Sequence, residues 1–192
     1  MNELSTYLKE KYPDIDDETL KIIDNRTIVK SYSNGEFMLR EGKICNFIGF
    51  IVRGSARTYQ YNPSGTEQTL YFSIENEWIT SYHSFLMNKP SWITIECLED
   101  SKVLLLPKSL LTQLYKETSI ANYIGRLIAE NLYLQEYERN KDLLTLSASQ
   151  RYQKLIDTRP ELLQRIKLQY IASYIGIAKE SLSRIRNQKN TF

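Results

Sequence analysis

The side chains with the clearest chemistry lie near the end of the chain: Lys179, Glu180, Ser181, Ser183, Arg184, Arg186, Gln188 and Lys189. These types suit a DNA major groove, where Arg or Lys donates to guanine or phosphate, Glu accepts from the cytosine amine, and hydroxyls serve either base. They read a groove only if one helix presents them together, and the surrounding pattern predicts such a helix. Ile171 and Ile175 stand one turn apart, Leu182 and Ile185 stand three apart, and Ile177 falls between the pairs. Those five positions can close one small core between two short helices. Ala172 falls where the helices cross, and Gly176 falls where the first must end in a left-handed residue. The stretch therefore reads as a helix-turn-helix with an outward polar face.

The charge around this stretch agrees. Residues 151–192 hold nine Lys or Arg (Arg151, Lys154, Arg159, Arg165, Lys167, Lys179, Arg184, Arg186, Lys189) against three acids (Asp157, Glu161, Glu180), a balance of +6. The first 150 residues hold 16 against 20, a balance of −4. A near-neutral chain thus separates into an acidic part and a basic C-terminal module, the footprint expected of a surface that docks on phosphates.

Other classes are disfavoured by what the chain holds. At 192 residues and 42% hydrophobic, it is long enough for a medium domain plus a small one. No apolar run of 18 residues exists to cross a membrane, and residues 1–10 are polar and mixed in charge, so a cytoplasmic location is expected. Cys45 and Cys97 lack metal spacing and are expected to be buried packing residues. His83 is the one histidine, so the multi-histidine metal sites of small β-barrel enzymes cannot be built. No catalytic residue, metal or cofactor is expected, and the chain is not expected to be an enzyme.

The preceding elements must position the basic module. Residues 2–23 read as helix in two pieces broken at Pro13, with acids 14–18 favouring the start of the second. From 27 to about 106 come short β-branched and aromatic runs, at 27–32, 36–40, 47–53, 56–61, 67–74, 93–98 and 102–106, separated by Gly, Asn or Pro turns. Seven or eight such strands make an antiparallel jelly roll or barrel. A short helix is predicted over 107–115 and a long one over 118–144, the latter with Ile120, Ile124, Leu127, Asn131 and Leu134 on one stripe. A helix of about 25 residues extends roughly 38 Å, more than one small roll can cover. The stripe is therefore expected to form a dimer seam, with Asn131 fixing register. Ser147 is the expected N-cap of the next helix. The expected fold class is α+β: a roll at 1–117, a long dimerisation helix at 118–144 and a helix-turn-helix domain at 145–192.

This order of elements resembles the Crp/Fnr family of bacterial transcription regulators over nearly the whole chain. Asn34-Gly35-Glu36, Glu41-Gly42-Lys43 and residues 50–57 are similar to the glycine-punctuated strands of cyclic-nucleotide-binding domains, and Asn62-Pro63-Ser64-Gly65-Thr66-Glu67 resembles the hairpin that follows. Lys179-Glu180 followed by Arg184 is similar to the pattern by which such regulators read a half-site. The resemblance implies a homodimer on a palindromic operator in double-stranded DNA. In it, Arg184 and Lys179 contact guanine or phosphate and Glu180 accepts from cytosine.

Two departures shape the remaining expectations. Where a cyclic-nucleotide binder has Gly-Glu and then an Arg with a small neighbour, this chain has Thr80-Ser81-Tyr82 and Lys89-Pro90-Ser91-Trp92. A buried cyclic phosphate needs a fixed cation, which Lys89 supplies poorly beside Pro90. Thr80, Ser81, Tyr82, Lys89, Ser91 and Trp92 therefore mark a ligand pocket expected not to hold cAMP or cGMP tightly. Tyr82, Phe85 and Trp92 can fill it, leaving an apolar effector or none. After the recognition helix only a few residues remain to Phe192, so a wingless module is expected. The competing functions are a cyclic-nucleotide module acting through protein partners and a cupin-like enzyme.

Overall fold

A computed structural model describes residues 1–189, with side chains through Asn187. The chain opens with α1 (Glu3–Lys11) and α2 (Asp17–Arg26). The Asn2 side chain accepts the Ser5 N–H and the Asp16 side chain accepts the Thr19 N–H, so each helix begins at a polar cap and Pro13 falls in the turn between them. The strands follow: β1 (Ile28–Tyr32), β2 (Phe37–Leu39), β3 (Phe47–Arg53), β4 (Ala56–Tyr61), β5 (Glu67–Ser73) and β6 (Trp78–Ile79). Then come α3 (Tyr82–Met87), β7 (Thr94–Cys97) and β8 (Ser101–Pro107). The C-terminal part holds α4 (Lys108–Glu117), α5 (Ser119–Thr145), α6 (Ala148–Thr158), α7 (Pro160–Arg165), α8 (Leu168–Ile175) and α9 (Lys179–Lys189).

The strands form two four-stranded sheets, ordered β1-β8-β3-β6 and β2-β7-β4-β5, a jelly roll. Each of the seven strand runs read from the sequence overlaps a strand. β6 was missed because two residues carry no periodicity; its pairing places Ile79 opposite Gly49 and Trp78 opposite Phe50.

Within the first sheet β3 and β8 are buried on both faces, which explains their continuous apolar runs, whereas the edge strand β1 is largely exposed. Phe47, Ile51, Val103 and Leu105 enter the roll interior with Tyr32, Leu39, Cys45, Ile95 and Cys97. Their neighbours Ile48, Phe50, Leu104 and Leu106 point the other way, into a second core with Leu4, Leu8, Leu20, Leu111, Leu114 and Ile124. Both cysteines are free and buried, and burial pushes the Cys97 thiol up to about 11, where it is inert.

The chain groups into two compact units. The first comprises Met1–Thr58 and Phe72–Glu130; the second comprises Tyr59–Tyr71 and the residues from Asn131 onward. The units thus divide inside α5, whereas the sequence places its boundaries at 117 and 144. The tip of the β4–β5 hairpin groups with the C-terminal helices. Among the described residues, no helix is long and apolar enough to cross a membrane.

Candidate nucleic-acid interface

The second unit builds α9 a platform. α6 starts at a capping box in which Ser147 Oγ accepts the Gln150 N–H at 3.3 Å and Gln150 Oε1 accepts the Ser147 N–H at 2.8 Å. Tyr152, Leu155, Leu162, Ile166, Ile171, Ala172, Ile175 and Leu182 form its buried interior. α8 ends at Gly176 with φ 78°, and the Ile177 N–H returns to the Ala172 carbonyl at 3.0 Å, so the left-handed turn satisfies the helix end and starts the next helix. Of the five expected core residues, Ile171, Ile175 and Leu182 are fully buried, while Ile177 and Ile185 are half-buried.

α9 buries Leu182 and turns its opposite side outward. Lys179, Glu180, Arg184 and Arg186 are exposed, and Ser181 and Ser183 are half-buried. The Arg184 guanidinium donates to Ser181 Oγ at 3.2 Å, which orients it along the helix surface. Glu180, Arg184 and Asn187 recur at helical spacing on the face opposite Leu182, and Asn187 is exposed. Asn187 was not among the expected readers, although its three-residue step from Arg184 was the available signal. The side chains of Gln188 and Lys189 lie outside the described residues.

The basic surplus is smaller at the surface than in the sequence. The Arg151 guanidinium donates to the Ile175 carbonyl at 2.8 Å and to the Leu146 carbonyl, tying two helix C-termini together. Lys154 pairs with Asp142 at 2.6 Å, and Arg159 lies 3.4 Å from Glu161. Among the described residues, Arg151, Lys154 and Arg159 are thus tied to structural partners. Lys167, Lys179, Arg184 and Arg186 are exposed.

A distant segment holds α8 in place. Ser173 Oγ donates to the Glu67 carbonyl at 2.9 Å and accepts the Thr69 N–H at 2.9 Å. Arg139, 9% exposed, donates to the carbonyls of Thr69 (3.0 Å) and Tyr174 (2.7 Å), with its guanidinium 4.1 Å from the Tyr174 ring centre. The Tyr71 hydroxyl donates to Glu136; burial and this carboxylate both push the phenol's ionisation upward. Nothing in the local sequence joins residues 67–71 to Ser173, so this support was not foreseen.

The expected dimer stripe separates into two faces on α5. Ile124 is 6% exposed and belongs to the first unit's core, with Ile120 and Ile128 packed against it. Leu127 is half-buried and Asn131 exposed. The large hydrophobic side chains exposed on α5 are Tyr123, Tyr133, Leu134, Tyr137 and Leu144, at 49–86%. Tyr123, Leu127, Leu134, Tyr137 and Leu144 follow three-, four- and seven-residue steps, a narrow seam displaced around the helix from Ile120 and Ile124.

In the roll, the six expected pocket residues do not converge. Ser91 Oγ is bonded to Ser81 Oγ and to the Ile93 carbonyl, both at 2.9 Å, with both serines buried. The Thr80 hydroxyl donates to the Phe47 carbonyl at 2.8 Å. Tyr82 packs against the outer core, while Lys89 and Trp92 are exposed. Arg57, 2% exposed, sets Nε at 2.8 Å and Nη2 at 2.6 Å from Glu96 Oε2. Ala56, Ile95 and Cys97 enter the roll interior, so strand alternation puts Arg57 and Glu96 on the sheet's outer face. His83 is exposed, and no group of metal-binding side chains occurs among the described residues.

Residues 29–118 match the family of cyclic nucleotide-binding domains. No curated protein matches the chain. Among solved structures, the chain resembles a transcriptional regulator described as Crp/Fnr-family from Eubacterium rectale, at 16% identity and TM-score 0.73, covering 94% of this chain and 86% of that one. It also resembles the c-di-GMP-responsive global regulator CLP of Xanthomonas campestris, at 17% identity and TM-score 0.70, covering 92% of each chain. FixK2 of Bradyrhizobium japonicum is similar at 19% identity and TM-score 0.71, over 86% of this chain and 85% of that one. The chain has the fold of Crp/Fnr transcriptional regulators, and the match to the cyclic nucleotide-binding domains falls on its jelly roll.

Proposed function

We propose that the protein is a cytoplasmic, homodimeric transcription regulator that reads a palindromic operator with α9 and does not bind cAMP tightly. The observation that carries the reading is the exposed Glu180, Arg184 and Asn187 face on a helix fixed by Leu182, Gly176 and the buried interior of its unit. A polar helix face with both a cationic fork and a carboxylate suits base edges better than a featureless phosphate surface. The exposed α5 seam supports a two-fold pair, which sets two recognition helices about 34 Å apart on successive major grooves.

The side chains Ser81 and Ser91 support the negative part of the reading. They are buried and bonded to each other, and the neighbouring Lys89 is exposed, so a cyclic phosphate there would lack a fixed cation. Selection of bound DNA from a random pool tests the function. A recovered palindrome supports it; no enrichment over a pool carried through without protein overturns it. Calorimetry with cAMP tests the rest: a micromolar isotherm with one site per protomer would overturn the expectation that cAMP does not bind tightly. The domain match favours cyclic-nucleotide signalling through a protein partner as the second reading, and that isotherm without DNA enrichment would establish it.

A further inference from the structure

A cavity of about 50 Å³, open on one side, lies within the first unit between α1, α2, the outer face of the first sheet, α4 and the start of α5. Its walls include Leu8, Ile23, Trp78, Leu111, Leu114 and Ile124, and none of its lining side chains is charged. The space takes roughly three to five water-sized groups, yet its apolar walls give water few partners.

Small residues on α5 keep this space. Ala121 and Gly125 both line it, one turn apart. Glycine inside a helix is unfavourable relative to alanine and calls for a reason. Here a Cβ on Gly125 would stand 2.6 Å from Tyr115 Oη and 2.7 Å from the Tyr115 ring, so the missing side chain makes room for that tyrosine. Tyr82 lines the same cavity. Among the described residues, neither phenol has a hydrogen-bond partner for its hydroxyl, and burial pushes the ionisation of both upward, so both remain neutral donors.

We propose that this cavity binds a small, neutral, mainly apolar organic ligand whose single hydroxyl or carbonyl is held by Tyr82 and Tyr115. An anion would enter without a paired cation, which excludes a cyclic nucleotide here. The enclosed volume takes a short alkyl chain or the edge of one ring, and the open side admits the rest. The ligand touches the first turns of α5, so it acts on the long helix directly. That it is an effector rests on the reading as a DNA-binding regulator; that it binds does not.

Trp78 is a built-in reporter, and Trp92→Phe makes it the single tryptophan. Titration of that full-length variant with 6-bromo-1-hexanol, a neutral heavy-atom quencher, should give saturable quenching. Adding Tyr82→Phe and Tyr115→Phe should weaken binding at least fivefold while leaving 1-bromohexane unaffected. Ala121→Leu, which places extra carbons in the space, should weaken both probes at least tenfold with no loss of melting temperature. Gly125→Ala, which displaces the Tyr115 ring, is the second variant should Ala121→Leu fail to fold. Quenching that rises linearly, or saturable quenching unchanged in the folded cavity variants, would overturn the site. Saturable binding with no change in affinity for a selected DNA sequence would overturn the effector role alone, whereas failure of DNA selection leaves the quenching result to decide the site.

Discussion

Arg184 and Arg151 carry the same charge in the same module, and the fold uses them for different purposes. Arg184 is exposed beside Ser181, whereas Arg151 closes the ends of α5 and α8 through the Leu146 and Ile175 carbonyls. Arg184→Ala should cost about 1–3 kcal/mol at one base pair and relax specificity there, while Arg186→Ala should weaken all sequences alike. Binding assays on the selected and a random duplex separate the two, and equal losses for Arg184→Ala would show that it does not read bases. Arg151→Ala should instead destabilise the second unit by about 1–3 kcal/mol by leaving carbonyls without partners, read by thermal unfolding. The sequence lists both as cations. It could not tell them apart, because Arg151's partners are backbone atoms at helix ends that have no residue signature. Arg184 was legible because Leu182 and Ile185 fix which side of α9 faces in.

Helix α5 divides its apolar residues between a buried and an exposed face. Its apolar residues form a stripe too broad for one contact, and sequence periodicity alone assigned Ile120, Ile124, Leu127, Asn131 and Leu134 to a single seam. Burial divides that stripe: Ile124 is core, whereas Leu134 and Tyr137 are 55% and 54% exposed. Periodicity reports that a face is apolar and says nothing of which partner covers it. Leu134→Lys with Tyr137→Lys should convert the proposed dimer to a folded monomer in sedimentation, with like charges facing across the seam. Ile124→Lys should unfold the first unit by burying an unpaired charge. A double variant that sediments as a folded dimer would place the interface elsewhere. The caps were easier to read than the faces: Ser147 and the acids at the start of α2 act within one turn of sequence, and that is the range over which a single chain is informative.

At the scale of the molecule, acid should open the chain from its N-terminus. Asp16 accepts the Thr19 N–H (2.7 Å) and hydroxyl (2.8 Å), and these bonds hold its carboxyl below the ordinary 3.8. Burial alone would raise Asp24, but bonds from the Ser5 hydroxyl (2.6 Å) and the Asn2 N–H (2.9 Å), with the terminal amine nearby, bring it below 3.8 as well. Both acids are therefore depressed in the folded state. Their stabilisation is complete above about pH 4 and is lost as pH falls through their folded values. Melting temperature against pH should fall below about pH 4, and Asp24→Asn should flatten that fall. DNA affinity should drop steeply with salt through the exposed Lys167, Lys179, Arg184 and Arg186, with a smaller slope than nine cations would give, since Arg151, Lys154 and Arg159 have internal partners. The jelly roll itself was legible because turn residues punctuate its strands, whereas strand order and the long-range ties of the second unit depend on contacts far apart in sequence.

The ties from the hairpin at residues 59–71 to Ser173, Arg139 and Glu136 bear on how such a protein can be taken apart or recombined. The unit proposed to read DNA is not a contiguous cassette: a fragment beginning at 131 or 145 discards the strand-borne brace at residues 59–71. Such a fragment should melt below the intact chain and bind DNA more weakly than its charge predicts. Grafting α8 and α9 onto another sensor would succeed only with a hairpin of matching length, so loop insertions between β4 and β5 should be tolerated far less well than their exposed turn suggests.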